Sequence, residues 1–138
     1  MVQTQTITLD SDGGFATINV TDPLRELLAA SGIRAGLATV YYQHTTGGVL
    51  VTEQEAGVLA DLEDVLQELI PVERDYRHHL RAVDFNGHAH IRAALFGPSV
   101  TIPVADGQLL LGRYQEILVL DMQTERAPRS VVLQILGE

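Results

Sequence analysis

The chain has 138 residues, 46% of them hydrophobic, and a net charge of -9, which predicts one packed domain over residues 1–138 rather than a disordered chain. The negative charge argues against binding to nucleic acid or to acidic membranes, because both rest on cationic side chains. Cysteine and lysine are absent, which excludes disulfides, thiolate chemistry, Schiff bases and lysine-bearing phosphate loops.

The chain lacks the sequence signals of membrane insertion and export. No stretch reaches the roughly 20 uninterrupted apolar residues of a membrane span, and the first ten residues lack the basic-then-apolar layout of a signal peptide. We therefore expect a cytoplasmic protein. Its available chemistry is that of histidine, carboxylate, hydroxyl and arginine side chains, with or without a metal.

Two strands and a helix are predicted first. Residues 2–10 and 15–20 have the β-propensity of strands and are separated by a Ser-Asp-Gly-Gly turn. A helix is expected to follow, with Thr21 or Asp22 as its N-cap and Gly32 at its end.

The middle of the chain predicts two more strands and an amphipathic helix. Residues 36–43 and 49–52 have strand propensity, and the HTTGG segment between them indicates a hairpin turn at Gly47-Gly48. Apolar residues recur at helical spacing over residues 55–69, and Pro71 ends that helix. Its acidic residues are expected to form a solvated face.

The last part of the chain alternates between irregular, helical and extended segments. Residues 73–83 are charged and show no periodicity, and a short helix is predicted over residues 87–95. Three strands follow over residues 99–104, 114–121 and 130–136. The whole pattern predicts an α+β domain with largely antiparallel sheets and three helices.

Five histidines lie in three short segments of the chain, as His44, His78, His79, His88 and His90. One histidine from each segment is enough for a zinc-type site with an open coordination position. Residues two apart on a helix lie about 200° apart, and neighbours on a strand face opposite sides, so each pair contributes one histidine at most. Spacing alone favours structural or surface histidines over a metal site, because no H-x-x-x-H pair is present.

Other side chains could bind an anion. Asn86 can cap the short helix and leave free backbone N–H groups, which attract phosphate. Arg113, Arg126 and Arg129 could each bind a phosphate with two nitrogens. An ordinary helix cap and surface ion pairs are the simpler explanations of these residues in so acidic a chain.

The ordered set of motifs resembles the YjbQ-like family. The matching elements are His44-Thr45-Thr46-Gly47 followed by Glu53, Asp61-Leu62, Pro71 with Tyr76-x-His78, Asn86 with Ala89-His90-Ile91, Gly97-x-Ser99 with Ile102-Pro103-Val104, Leu111-Gly112-x-x-Gln115, and Arg129. The resemblance covers roughly residues 5–136. Each motif is weak alone, and their order makes the set specific.

The resemblance implies sheets flanked by about three helices, a homotrimer, and a metal-binding cluster of His44, His78 and His90. It leaves His79 and His88 outside the cluster. Zinc is the expected metal, with magnesium as the alternative. The activity implied is thiamine-phosphate synthesis, in which hydroxymethylpyrimidine diphosphate and thiazole phosphate give thiamine phosphate and pyrophosphate. A metal-dependent hydrolase and a non-catalytic trimer that binds metal or anion are the alternatives.

The hypothesis of a metal-assisted site that acts on a phosphorylated substrate adds further roles. The candidate catalytic residues are Glu53, Asp61 and Thr45. The candidate phosphate-binding residues are Thr46, Asn86, Arg113 and Arg129.

This sequence also departs from the family pattern. Its Glu55-Ala56-Gly57-Val58 replaces the usual Asp-Pro-Asp-Val, Tyr114 replaces a tryptophan, and Asp121 replaces a glutamate. The first change leaves at most Glu55 in place of two carboxylates.

Overall fold

A computed structural model of the chain describes residues 1–81 and 84–138. The helices and strands, in chain order, are β1 (Val2–Ser11), β2 (Ala16–Asn19), α1 (Thr21–Ser31), β3 (Gly36–Tyr42), β4 (Gly47–Thr52), α2 (Ala56–Leu69), α3 (Arg77–Arg81), α4 (Gly87–Phe96), β5 (Ser99–Ala105), β6 (Gln108–Leu109), β7 (Glu116–Asp121) and β8 (Ala127–Gly137). Within the described ranges, no helix is long and apolar enough to cross a membrane.

The strands form two sheets. The five-stranded sheet has the order β1-β8-β3-β5-β6, and the three-stranded sheet has the order β2-β7-β4. Every strand pair in the described part of the chain is antiparallel. The predicted α+β class and antiparallel pairing are therefore confirmed.

Two apolar clusters join the layers. The larger cluster lies between the two sheets and includes Val40 of β3, Leu133 of β8 and Val119 of β7, with α1 packed on it through Leu24 and Leu28. The other face of β7 packs against helices α2 and α4 in a smaller cluster, formed by Leu66, Ala89, Leu120 and Met122. Successive side chains of β7 point to opposite faces of the sheet, so the strand contributes Val119 to the larger cluster and Leu120 to the smaller one.

The hairpin predicted between β3 and β4 is wrong. The two strands belong to different sheets, and the turn lies at Thr45 and Thr46 while Gly47 and Gly48 begin β4. Both glycines are required because neighbouring atoms pack directly against their Cα atoms and leave no room for a side chain. A Cβ on Gly47 would meet the Leu120 carbonyl oxygen and the Tyr42 ring, and a Cβ on Gly48 would lie 2.5 Å from the Gly97 carbonyl oxygen.

The predicted cap of α1 is also wrong. Val20 is the N-cap, and no side chain caps the helix there. Thr21 lies inside the helix, where its hydroxyl accepts a hydrogen bond of 2.9 Å from the Ile117 N–H. The Thr21 hydroxyl therefore bonds to the distant strand β7 instead of capping its own helix. The predicted end of the helix is confirmed, with Gly32 in the left-handed region at a φ of 72°.

The irregular segment predicted over residues 73–83 contains a short helix, α3, so four helices are described rather than three. The positions 82 and 83 of that prediction lie outside the described residues. A five-residue helix is too short to show an amphipathic period. The preceding Tyr76 is fixed by its hydroxyl, which donates to the Pro71 carbonyl at 2.5 Å.

Candidate functional site

His44 lies in the loop that crosses from β3 to β4, at one end of the three-stranded sheet. Its Nε2 accepts a hydrogen bond of 2.9 Å from the backbone N–H of Ser130. Burial and, after it, the positive charge of Arg129 lower the pKa of His44. A neutral His44 whose Nε2 accepts must carry its proton on Nδ1. The loop therefore fixes one tautomer of this histidine.

His90 and His78 form an imidazole pair next to that loop. His90 is on α4 and His78 is on α3, and their ring centroids are 4.5 Å apart in an edge-to-face arrangement. Burial and the neighbouring His78 lower the pKa of His90. Helix α4 turns His88 away from this pair into a buried position, as the 200° spacing predicts.

Two clefts meet at His90. The first, which we call the histidine cleft, has a volume of about 530 Å³ and is lined by Tyr41, Tyr42, Gln43, His44, Thr45, Gly47, His90, Ala93, Ala94 and Pro98. The second has a volume of about 750 Å³ and includes His78, Tyr76 and His90 in its lining. His90 thus faces His44 across one cleft and borders the other with His78.

A buried network lies behind His44. The Asp121 carboxylate is fully buried, accepts a hydrogen bond from the Ser11 hydroxyl, and accepts one of 3.0 Å from Arg129 Nε. Arg129 Nη2 also donates to the Glu125 carbonyl at 3.0 Å. Ser130 directly follows Arg129 and supplies the N–H that holds His44. The ion pair therefore fixes the backbone that positions this histidine.

Tyr42 lies between the network and the histidine cleft. Its ring centroid is 4.9 Å from that of His44. Burial, with a further contribution from the negative charge of Asp121, raises the pKa of Tyr42 far above its usual range. Its hydroxyl is buried, and hydrogen bonding to Asp121 also contributes to the raised pKa. Tyr42 therefore keeps a neutral hydroxyl on the Asp121 side, while its ring lines the cleft.

The three histidines do not form a three-ligand metal site in this single chain. His44 Nε2 accepts from Ser130 and its Nδ1 carries the proton, so neither nitrogen has a lone pair for a metal. Among residues 1–81 and 84–138, no three histidine, aspartate or glutamate side chains lie close enough together to hold an ion. His78 and His90 are adjacent imidazoles that fit two nitrogen ligands of one metal.

The threonines and Asn86 lie close to this end of the sheet. Thr45 lines the histidine cleft, whereas Thr46 is buried and its carbonyl accepts from the Met122 N–H at 3.0 Å. Asn86 is the N-cap residue of α4, although its side chain makes no cap bond there. Its Nδ2 instead donates to Gln123 Oε1 at 3.1 Å. Thr45 is the one of these three that lines the cleft.

Glu53 and Arg113 lie towards the other end of the sheet. In the β4–β7 register, Gly47 pairs with Asp121 at the His44 end, whereas Thr52 pairs with Glu116 at the opposite end. Five residues of strand place Thr52 about 17 Å from Gly47, and Glu53 follows Thr52. Arg113 is exposed and stacks over the Tyr114 ring, 5.3 Å from its centroid. Asp61 is exposed on α2.

Sequence reasoning assigned no site role to Ser11, Tyr42, Asp121 or Ser130. Asp121 gave a usable signal, since a carboxylate that ends the apolar run ILVL is expected to need a buried partner. Arg129, already a candidate from the sequence, is that partner. Ser130 contributes only a backbone N–H, which no side-chain pattern reveals.

Comparison with known proteins places this arrangement in a known fold. Residues 5–138 match the family model described as UPF0047 protein YjbQ-like. A UPF0047 protein of Methanothermobacter thermautotrophicus is 34% identical over 137 residues, which cover 99% of this chain and 94% of the relative.

Solved structures agree with that match. A YbjQ-like protein of unknown function from Sulfolobus solfataricus P2 has a TM-score of 0.94 and 28% identity, covering 100% of this chain and 99% of the other. A hypothetical protein from Aeropyrum pernix K1 has a TM-score of 0.91 and 35% identity, covering 99% of each chain.

Proposed function

Because this chain belongs to the UPF0047 YjbQ-like family, we propose that its histidine cleft is the active site of a metal-assisted enzyme acting on a small phosphorylated molecule. The reaction we propose joins hydroxymethylpyrimidine diphosphate to thiazole phosphate, giving thiamine phosphate and pyrophosphate. One observation carries the proposal: His90 lines both clefts, sharing one with His44 and the other with His78. His90 thus links the three imidazoles across two adjoining clefts.

The lining of the histidine cleft favours an anionic ligand. None of its described lining residues is an aspartate or glutamate, although the chain as a whole carries a net charge of -9. The local field at a site, rather than the net charge, decides which ion approaches it. A phosphate group in the cleft would therefore meet neutral donors and no carboxylate on the cleft wall.

One donor at the cleft suits that phosphate. His44 presents its Nδ1–H because Ser130 occupies Nε2. A donor that is already oriented stabilises charge on phosphate oxygens without first being reorganised. His44 keeps this proton and donates its hydrogen bond to the departing pyrophosphate.

His78 and His90 would hold the divalent metal through ring nitrogens, with the remaining positions filled by water or substrate oxygens. A bound Zn²⁺ or Mg²⁺ supplies positive charge that stabilises the leaving phosphates. The lowered pKa of His90 suits this role, since a ligand imidazole must be neutral.

We propose that the protein assembles with itself as a homotrimer through the outer face of the five-stranded sheet. By register, three rows of four residues lie where β1, β8, β3 and β5 all pair, and none of them is charged: Val2, Leu136, Leu37 and Pro103; Thr4, Gln134, Thr39 and Thr101; and Thr6, Val132, Tyr41 and Ser99. An uncharged face of this size favours association. Tyr41 also lines the histidine cleft, so the proposed assembly would border the site.

Metal analysis of the purified protein tests the ligand pair. We expect bound Zn²⁺, or saturable binding of added Zn²⁺ or Mg²⁺, that is lost in His78→Ala and His90→Ala. The matched control is His79→Ala, because His79 faces Asp75 and stacks on Phe85 instead. Equal metal binding by all three variants would contradict the metal site.

Turnover tests the reaction. We expect thiamine phosphate to form from the two substrates and to disappear in His44→Ala and His90→Ala. Hydrolysis of phosphate monoesters that depends on His44, without thiamine phosphate formation, would replace the synthase with a hydrolase. Metal or anion binding without any turnover would leave a non-catalytic trimer.

A further inference from the structure

Helix α4 contributes to a third cleft, on its other side, which we call the arginine cleft. The cleft has a volume of about 410 Å³, and its lining includes His88 and Arg92 of α4, Glu63 and Asp64 of α2, Phe15, and Val72. The metal and substrate of the proposed function do not use these residues. The cleft is therefore a separate place to look for a ligand.

Arg92 is a buried cation without a carboxylate partner. The residue is 3% exposed, and no Asp or Glu within the described ranges lies at ion-pair distance from it. Its Nε and Nη2 donate to the Ile70 carbonyl at 3.0 and 2.7 Å, and Nη2 also donates to Gln67 Oε1 at 3.2 Å. These bonds satisfy the carbonyl of Ile70, the C-cap residue of α2. A buried charge normally has an ionic partner as well.

Two nitrogens at this place have unused hydrogen-bonding capacity. Arg92 Nη1 makes no hydrogen bond with the described residues, in contrast to Nε and Nη2. His88 is 3% exposed, and its Nδ1 is buried without a partner in the same ranges. A buried polar atom left unpaired costs about 1–3 kcal/mol. Together the two side chains present hydrogen-bonding capacity that the described part of the fold leaves unused, and His88 donates there in its Nδ1–H tautomer.

We propose that the arginine cleft binds a small monoanionic carboxylate, held by Arg92 Nη1 and the His88 imidazole. A planar guanidinium suits the geometry of a carboxylate, and charge-assisted hydrogen bonds are the strong ones.

The other lining residues narrow the ligand class. Phe15 and Val72 are apolar and suit the body of an organic acid. Glu63 and Asp64 are exposed acidic residues in the lining and would repel further negative charge. The cleft therefore selects against pyrophosphate and other polyanions, which sets it apart from the histidine cleft.

Chemical-shift titration of the ¹⁵N-labelled full chain tests the proposal, with benzoate as the probe. We expect saturable shifts at Arg92 Nε and the His88 ring nitrogens, and much smaller shifts with the neutral analogue benzamide. Pyrophosphate should not displace benzoate. Equal shifts with benzoate and benzamide, or benzoate shifts confined to His44 and His90, would overturn the proposal.

Variants complete the test. Arg92→Lys should weaken benzoate binding roughly tenfold or more, the usual cost of losing a charged hydrogen bond. Glu63→Gln leaves the buried contacts intact and should tighten binding about two- to threefold. Arg126→Ala, which changes an exposed arginine paired with Asp12, is the matched control and should bind as the parent does. Unchanged binding in both Arg92→Lys and Glu63→Gln would contradict the assignment, and the Glu63 variant decides the matter if Arg92→Lys fails to fold.

Discussion

The two ends of the β4–β7 strand pair carry opposite kinds of polar chemistry. At the Gly47–Asp121 end, Asp121, Arg129 and Ser11 are buried and hydrogen-bonded to one another. At the Thr52–Glu116 end, Glu116 is only partly buried and shares Asn19 with Gln54 in hydrogen bonds of 3.1 and 2.7 Å. The strand pair thus has a buried hydrogen-bonded network at its Gly47–Asp121 end and solvent-exposed polar contacts at its Thr52–Glu116 end.

This difference indicates which end can serve as a site. Desolvation holds the pKa of His44 low and the pKa of Tyr42 high, so both side chains are neutral and oriented near pH 7. At the opposite end, hydrogen bonds from Thr21 and Asn19 lower the pKa of Glu116, which stays ionised. Exposed charges of that kind are screened by water and salt. Substitutions should therefore matter more at the Gly47–Asp121 end.

The largest effect is expected for Asp121→Ala. Removing one partner of a buried ion pair leaves Arg129 desolvated and unpaired, which costs about 3–5 kcal/mol of unfolding free energy. Urea denaturation measures this loss. Asp12→Ala is the control, because Asp12 forms an exposed pair with Arg126 at 3.7 Å; equal losses in the two variants would contradict a special role for the buried end.

Gly47→Ala should have the next largest effect. The added methyl group would lie 2.6 Å from Tyr42 Cε2 and closer still to the Leu120 carbonyl oxygen, and such overpacking costs about 1–3 kcal/mol. Gly57→Ala is the matched control in α2, where the neighbour is the carboxylate of the exposed N-cap Glu55, which can rotate away at the loss of one exposed cap bond, and alanine favours the helix. Thermal unfolding should show a lower Tm for the first variant alone.

Acidification should destabilise the protein through His44. Its folded pKa lies below the ordinary value of 6.5, so its contribution to stability is present above that pH and is lost as the pH falls through the folded pKa. His44→Gln keeps an acceptor for the Ser130 N–H and removes the titration. The unfolding free energy of this variant, measured between pH 7 and 5, should fall less steeply than that of the parent, and an identical slope would contradict this assignment.

Glu53→Gln should have the smallest effect on stability. Glu53 is exposed and lies beyond the Thr52 end of β4, and such surface changes usually alter stability by less than about 0.5 kcal/mol. Urea denaturation in parallel with Asp121→Ala makes the comparison direct. A loss as large as that of Asp121→Ala would mean that the Thr52 end is not the solvated end described here.

The sequence predicts the fold well where local patterns decide it. Seven of the eight strands and the long helix α2 follow from strand propensity and helical periodicity, and each was predicted close to its place. The exception among the strands, β6, has only two residues, too few to show alternation. The hairpin prediction was wrong because pairing between distant segments, β4 with β7 and β3 with β5 and β8, overrides the turn signal.

The site is less accessible to sequence reasoning. The histidine spacing allowed one of the His88 and His90 pair in a site, and the family resemblance selected His90. Nothing in the pattern shows that His44 accepts a hydrogen bond from the Ser130 backbone, 86 residues away in the chain. The same long-range contact occupies Nε2 of His44 and leaves its Nδ1–H as a donor. Glu53 and Arg113 were predicted as site residues because the sequence does not show at which end of the sheet a strand residue lies. Both lie towards the Thr52–Glu116 end, away from His44.

The tautomer of His44 and its response to a phosphate ligand test the proposed site most directly. A long-range ¹H–¹⁵N spectrum of the labelled imidazoles at neutral pH distinguishes Nδ1–H from Nε2–H, and pyrophosphate is then added to the same sample. We predict an Nδ1–H tautomer for His44, with saturable shifts at His44 and His90 and none at His79. An Nε2–H tautomer, or His44 and His90 signals that pyrophosphate leaves unmoved, would contradict this prediction.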